Sequence, residues 1–171
     1  MILLFALGGV SLKIADYYGE RTSKIISFIS ASVSAIIFGL LIAHSSISSS
    51  IILGIILGVL FSGKINQLNL FFGLALTLVI AFMLNFKIPF LWLLSIVTFF
   101  SFLDELSHDR YSSKKNVIAK FFLRRPFLKM SFLIIASLSL IEISYILAFF
   151  CFDISYDFTN FLLNRYVLKH E

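Results

Sequence analysis

Residues 25–45 read IISFISASVSAIIFGLLIAHS, twenty-one positions without Lys, Arg, Asp or Glu. As a helix rising 1.5 Å per residue, this stretch is about 30 Å long, the thickness of a bilayer's hydrocarbon core. Along it, Ser27, Ala31, Ala35, Gly39 and Ala43 recur every four residues. That spacing lets a second helix backbone approach closely, which is how helices associate in lipid.

Five more apolar runs flank this one, at 1–18, 48–63, 67–85, 88–104 and 127–151. Runs 25–45, 67–85 and 127–151 have full spanning length, and the three others are shorter. A short run precedes a long one three times, which predicts three helical hairpins in tandem. The expected fold is an all-α polytopic integral membrane protein of about six transmembrane helices, with short interfacial helices added. The whole chain agrees. Of its 171 residues, 60% are hydrophobic and 13% charged, and the mean hydropathy is +1.02. Soluble domains carry roughly 45–50% apolar and about 25% charged residues. A water-soluble core, disorder, collagen and a coiled coil are excluded, and the single Cys151 excludes a disulfide scaffold. No Lys or Arg precedes the first apolar run and no small-x-small site follows it, so residues 1–18 are expected to be a helix and not a signal peptide.

The basic residues set an orientation. Arg21, Lys24, Lys64, Arg110, Lys114, Lys115, Lys120, Arg124, Arg125 and Lys129 fall on one side of the expected spans, and Lys87, Arg165 and Lys169 on the other. Lys and Arg accumulate in cytoplasmic loops. The expectation is a cell-membrane protein with its N-terminus outside and residues 105–125 in the cytoplasm. The net charge of +5 follows from this topology, so no nucleic-acid partner is expected. Residues 114–125 mix cations with Val117, Ile118, Phe121 and Phe122, which suits a helix lying on an anionic leaflet. Residues 154–168 are expected to lie on the outer surface, where Asp153 and Asp157 would be solvated or capping.

Two further runs carry small-residue faces, Gly54–Gly58–Ser62 and Gly73–Thr77–Ala81. They predict contacts inside the bundle or a homodimer. Membrane lipids are the other expected partner.

An ionisable side chain at mid-bilayer costs roughly 2.5–3.5 kcal/mol, so such residues are site candidates. Lys13, Asp16 and Glu20 share one helix face. Lys64 closes the third run. Asp104-Glu105-Leu106-Ser107-His108-Asp109-Arg110 forms a dense acidic face with an imidazole at its edge. Glu142 sits inside the sixth expected span at a depth like that of Lys13, and a Lys13–Glu142 charge pair is expected. Clustered carboxylates need cations or a metal to coexist, and Mg²⁺ or Mn²⁺ is held by carboxylates together with substrate phosphates. The expected metal ligands are Asp16, Glu20, Asp104, Glu105 and Asp109. His108, Asp104 and Glu105 are the catalytic candidates, His108 as acid or base. Lys64, Arg124 and Arg125 would bind phosphate oxygens. P-loop, GxSxG, HExxH, CxxC and dinucleotide-binding patterns are absent.

The leading expectation is a polar cleft at the cytoplasmic interface of a divalent-cation-dependent enzyme acting on an isoprenoid or glycerolipid phosphate. The alternatives are a small transporter or channel for a cation or metabolite, and a non-catalytic subunit of a membrane complex.

Overall fold

The computed structural model describes residues 1–20, 23–65, 67–111, 121–122 and 125–167. These form seven helices: α1 (Ile2–Gly19), α2 (Lys24–His44), α3 (Ser46–Phe61), α4 (Leu68–Met83), α5 (Leu91–Tyr111), α6 (Pro126–Ser137) and α7 (Ile143–Val167). Four of them, α1, α2, α5 and α7, are long and apolar enough to cross a membrane, and α3, α4 and α6 are shorter apolar helices. Their outer faces expose Leu3, Ile25, Phe71, Met83, Leu91 and Ile143. Such helices are compatible with a multi-pass membrane protein.

The sixth expected span is where the count changes. Residues 127–151 are not one helix. Pro126 opens α6, where a first-turn residue loses no hydrogen bond. The helix stops at Leu138, and Ser139 adopts a left-handed φ of 51°. The chain then turns, and α7 runs unbroken for 25 residues. The expected surface segment 154–168 is therefore largely the second half of α7. Most of the expected interfacial segment 114–125 lies outside the described residues.

The three-hairpin arrangement is also not what forms. α1 does pack antiparallel on α2, with Ser27 Oγ donating to the Ala15 carbonyl at 2.8 Å. The other main contacts join parallel helices: α1 with α7, α2 with α4, and α3 with α5. Consecutive helices α3 and α4 barely touch. Ser155 Oγ donates to Ala6 O and Tyr17 OH to Leu163 O, so residue numbers rise together along α1 and α7. Glycines permit this. A Cβ on Gly9 would stand 2.5 Å from the Phe152 carbonyl, and one on Gly58 would stand 2.5 Å from Ser101 Cβ. The small-residue faces are thus used inside the bundle: Gly54 meets Val97, Gly39 meets Ile80, and Gly73 meets Ala31.

Between the helices lies a core of Phe5, Leu41, Ile42, Ile51, Leu93 and Val97, and of Phe132 stacked on Phe149 at 3.9 Å. The parallel pairs bring the C-termini of α1, α3, α5 and α7 and the N-termini of α2, α4 and α6 to one end of the bundle. That end carries most of the charge and is termed the polar end below. Arg165, expected on the side opposite Asp16, belongs to it. Labelling of single cysteines in a Cys151→Ser background tests this topology. Arg165→Cys and Asp109→Cys should react with an impermeant maleimide from one side of the membrane, and Lys87→Cys from the other. Opposite accessibility of positions 165 and 109 would refute a parallel α7.

Candidate functional site

Asp104 and Glu105, adjacent on α5, are both buried, at 1% and 2% exposure. Each does something different. Arg125 is the N-cap of α6, is itself in a left-handed conformation and supplies no side-chain cap. The first N–H groups of a helix have no partner within it. Asp104 meets two of them across the bundle. Its Oδ1 accepts Phe127 N–H at 2.9 Å and its Oδ2 accepts Leu128 N–H at 2.8 Å. A negative charge there also complements the helix dipole.

Glu105 faces two cations. Oε2 lies 2.7 Å from Lys64 Nζ and Oε1 2.8 Å from Arg125 Nη2. Lys64 is delivered by the end of α3, where Gly63 takes a φ of 73° and Lys64 N–H reaches back to Val59 O. This is a glycine C-cap of the Schellman type, open at little cost only to glycine among ordinary residues. Lys64 Nζ also lies 2.7 Å from Asp109 Oδ1 and 3.5 Å from His108 Nδ1. An ammonium can only donate, so Nδ1 of His108 is the acceptor in this arrangement. Burial alone would lower the pKa of Lys64, but hydrogen bonds and charge from Asp109 and Glu105 outweigh it and raise the value. A raised lysine pKa contributes stability below its unfolded value that is lost only as pH climbs through the folded one. Lys64 is therefore charged throughout the neutral range.

A second group lies alongside. Lys13 Nζ is 2.8 Å from Asp16 Oδ2, and Tyr156 OH donates to the same oxygen at 3.3 Å. The Tyr156 ring has Lys13 Nζ and the Arg125 guanidinium each 5.1 Å from its centroid. That is within cation–π range, so the ring joins the α1 pair to the Glu105 group. Below it, Lys129 of α6 lies 2.9 Å from Asp153 and 3.8 Å from Asp157.

The expected site residues are thus partly assembled. Lys64, Glu105, His108, Asp109 and Arg125 form one cluster, with Asp104 behind it, and Lys13 and Asp16 join through Tyr156. Arg124 lies outside the described residues. Glu20 is exposed at the C-terminal cap of α1. Glu142 is not beside Lys13: it lies in the exposed turn before α7, accepting a 3.3 Å hydrogen bond from Ser144 Oγ. The expected pair fails because the sixth run breaks into two helices. Asp153 is not solvated but three-quarters or more buried, with 14% side-chain exposure, against Lys129.

The expected metal ligands do not fit a metal as they stand. Asp104 gives both oxygens to backbone N–H groups, Glu105 gives both to cations, and Asp16 is held by Lys13. Among the described residues no three His, Cys, Asp or Glu side chains meet as a metal-binding group. Tyr156 and Asp153 were not among the sequence candidates. Their signal was present, since residues 153, 156 and 157 share one face of a continuous helix. The expectation of a span ending at 151 concealed it.

No family model, curated protein or solved structure matches the chain.

Removing one partner of a buried ion pair typically costs about 3–5 kcal/mol. Lys64 and Arg125 are 27% and 32% exposed, and partial solvation reduces that figure to about 2 kcal/mol. Glu105→Gln should therefore lower the thermal midpoint in detergent, and adding Lys64→Met should recover part of the loss. Asp104→Ala should be destabilising by about 2 kcal/mol through two orphaned N–H groups. Asp109→Ala, on the exposed side, should shift the midpoint far less. Equal melting of the Asp104 and Asp109 variants would refute the capping role.

Proposed function

We propose that this chain is a multi-pass cell-membrane protein that recognises a phosphorylated lipid, an isoprenoid or glycerolipid phosphate, at its polar end, and that this end faces the cytoplasm. One observation carries the reading. The buried Glu105 carboxylate holds two cations, Lys64 and Arg125, side by side, while both keep about three-tenths of their side chains exposed. Cations fixed by a buried carboxylate and still partly exposed are pre-organised for an anion. A guanidinium can grip a phosphate in bidentate fashion, and an ammonium adds a point charge. Asp109, 58% exposed, holds Lys64 from the solvent side. It stands where an incoming phosphate oxygen would displace it.

The orientation rests on the positive-inside rule. With α7 parallel to α1, Lys24, Lys64, Arg110, Arg125, Lys129 and Arg165 share the polar end. Lys87 lies beyond α4, at the other. The N-terminus would then be outside and residues 105–125 inside.

The reading ends at recognition and presentation of the lipid. Of the three catalytic candidates, Asp104 and Glu105 are committed to α6 and to the two cations, and His108 alone remains at the exposed edge of the cluster. No step is assigned to a divalent ion, for which the carboxylates are not arranged. A charge relay for transport would have to run along the membrane normal. The chain of contacts from Lys13 through Tyr156 and Arg125 to Glu105 and Lys64 instead runs across the end of the bundle.

Native mass spectrometry of gently extracted protein tests the proposal. A phosphorylated lipid should remain bound to the native chain, and its retention should fall at least tenfold in a Lys64→Met/Arg125→Met double variant that still folds. Equal retention in both, or retention of neutral lipids alone, would overturn it.

A further inference from the structure

α3 and α4 follow one another in the chain, yet they lean apart, α3 onto α5 and α4 onto α2. The gap between them is a cavity of about 110 Å³. One wall is Ile52, Ile56 and Val59 of α3, and the other is Leu70, Leu74 and Thr77 of α4. Each wall covers two helical turns, about 10 Å. The floor is α2, where Ala31 and Ser34 keep the surface low and Phe38 closes the deep end. The polar groups in it are turned inward. Ser34 Oγ donates to Ala31 O at 3.0 Å and Thr77 Oγ1 to Gly73 O at 2.8 Å. What faces the gap is hydrocarbon.

Position along the bundle gives the occupant. Leu70 lies in the first turn of α4 and Val59 in the last turn of α3, so the crevice occupies the half of the bundle nearer the polar end. Ile65, which follows Lys64 directly, lines its mouth. The same short loop therefore presents a cation to the cluster above and an apolar side chain to the crevice below. Water gains nothing in a gap without polar partners. An apolar cavity of roughly 150 Å³ stays dry and takes up benzene. In a membrane the available filler is a lipid chain from the neighbouring leaflet.

We infer that the crevice between α3 and α4 seats a single hydrocarbon chain of a lipid whose anionic head lies at Lys64. This deepens the proposed function and rests on it for the nature of the head. The seat holds a stretch of chain, not a whole lipid, and the remainder lies along the outer surface. An amphiphile with one chain in the crevice and its phosphate at the cluster would be bound at both ends of the polarity gradient. Recognition of the head would then be tied to the presence of a chain.

Photolabelling in nanodiscs tests the seat. The full chain is reconstituted with a phosphatidic acid carrying a diazirine in one acyl chain, and separately with a diacylglycerol bearing the same chain. Labels from the phosphatidic acid should concentrate on the α3 and α4 walls. They should drop at least fivefold in Ile56→Trp and in Leu74→Trp, half-buried positions on opposite walls. Phe99→Trp, on an outer face, should leave them unchanged. Two variants guard against one that fails to fold, which circular dichroism and size-exclusion profiles would show. Labels spread evenly over outward-facing residues, or undiminished in both folded crevice variants, would overturn the seat. Crevice labelling that is equal for the two lipids and unaffected by Lys64→Met would support the seat and overturn the phosphate reading. Loss of the crevice labels in Lys64→Met as well as in the tryptophan variants would support both.

Discussion

Asp104 accepts the first two N–H groups that α6 can offer, and the polar end takes its geometry from that contact. Arg125 is the residue before α6, so fixing the helix start fixes where its guanidinium stands. One residue along α5, Glu105 is then within 2.8 Å of it. Glu105 in turn holds Lys64, whose approach depends on the left-handed Gly63. Two adjacent acids thus divide the work: one organises backbone and the other organises charge. A free carboxylate would be very costly at this depth. Asp104 is tolerated because two N–H groups donate to it, and Glu105 because a cation stands within 2.8 Å of each of its oxygens.

Much of this end was legible in the residues. Asp16, Lys64, Glu105, Asp109 and Arg125 were expected on one side, and the structure brings them to one end. The apolar runs through residue 104 become α1 to α5 with shifts of a few residues at most of their ends. What could not be read was how the helices pair. Hydropathy reports that a helix is apolar and says nothing of which neighbour it will meet. The small-residue faces signalled close packing correctly, but Gly9 and Gly58 meet parallel helices distant in sequence. Run 127–151 misled for a different reason. Ser137-Leu138-Ser139-Leu140 contains neither Gly nor Pro, so the break between α6 and α7 carries no strong turn signal. Every error about Glu142, Asp153 and the C-terminal helix follows from that one unmarked turn.

The expectation of a metal rests on the spacing of the acids along the chain, which shows that they crowd together and not which donors meet them across the bundle. In the structure Lys13 meets Asp16, Lys64 and Arg125 meet Glu105, and two N–H groups of α6 meet Asp104. With α7 restored, Lys129 has Asp153 and Asp157, and Tyr156 stands between Lys13 and Arg125. The acids of this end thus face lysines, an arginine and backbone N–H donors.

The order of charges across the bundle is Asp109, Lys64, Glu105, Arg125, then Lys13 and Asp16. It alternates except at one step, where two cations are neighbours, and there Tyr156 intervenes. The face of a phenol ring carries a partial negative charge from its quadrupole. It can therefore separate two cations without adding a full charge that would need a partner of its own. A carboxylate in that place would close both cations into ion pairs and leave the network self-satisfied. With a ring there, Arg125 pairs with Glu105 on one side and meets the Tyr156 ring on the other, while the α7 acids Asp153 and Asp157 add charge from further away.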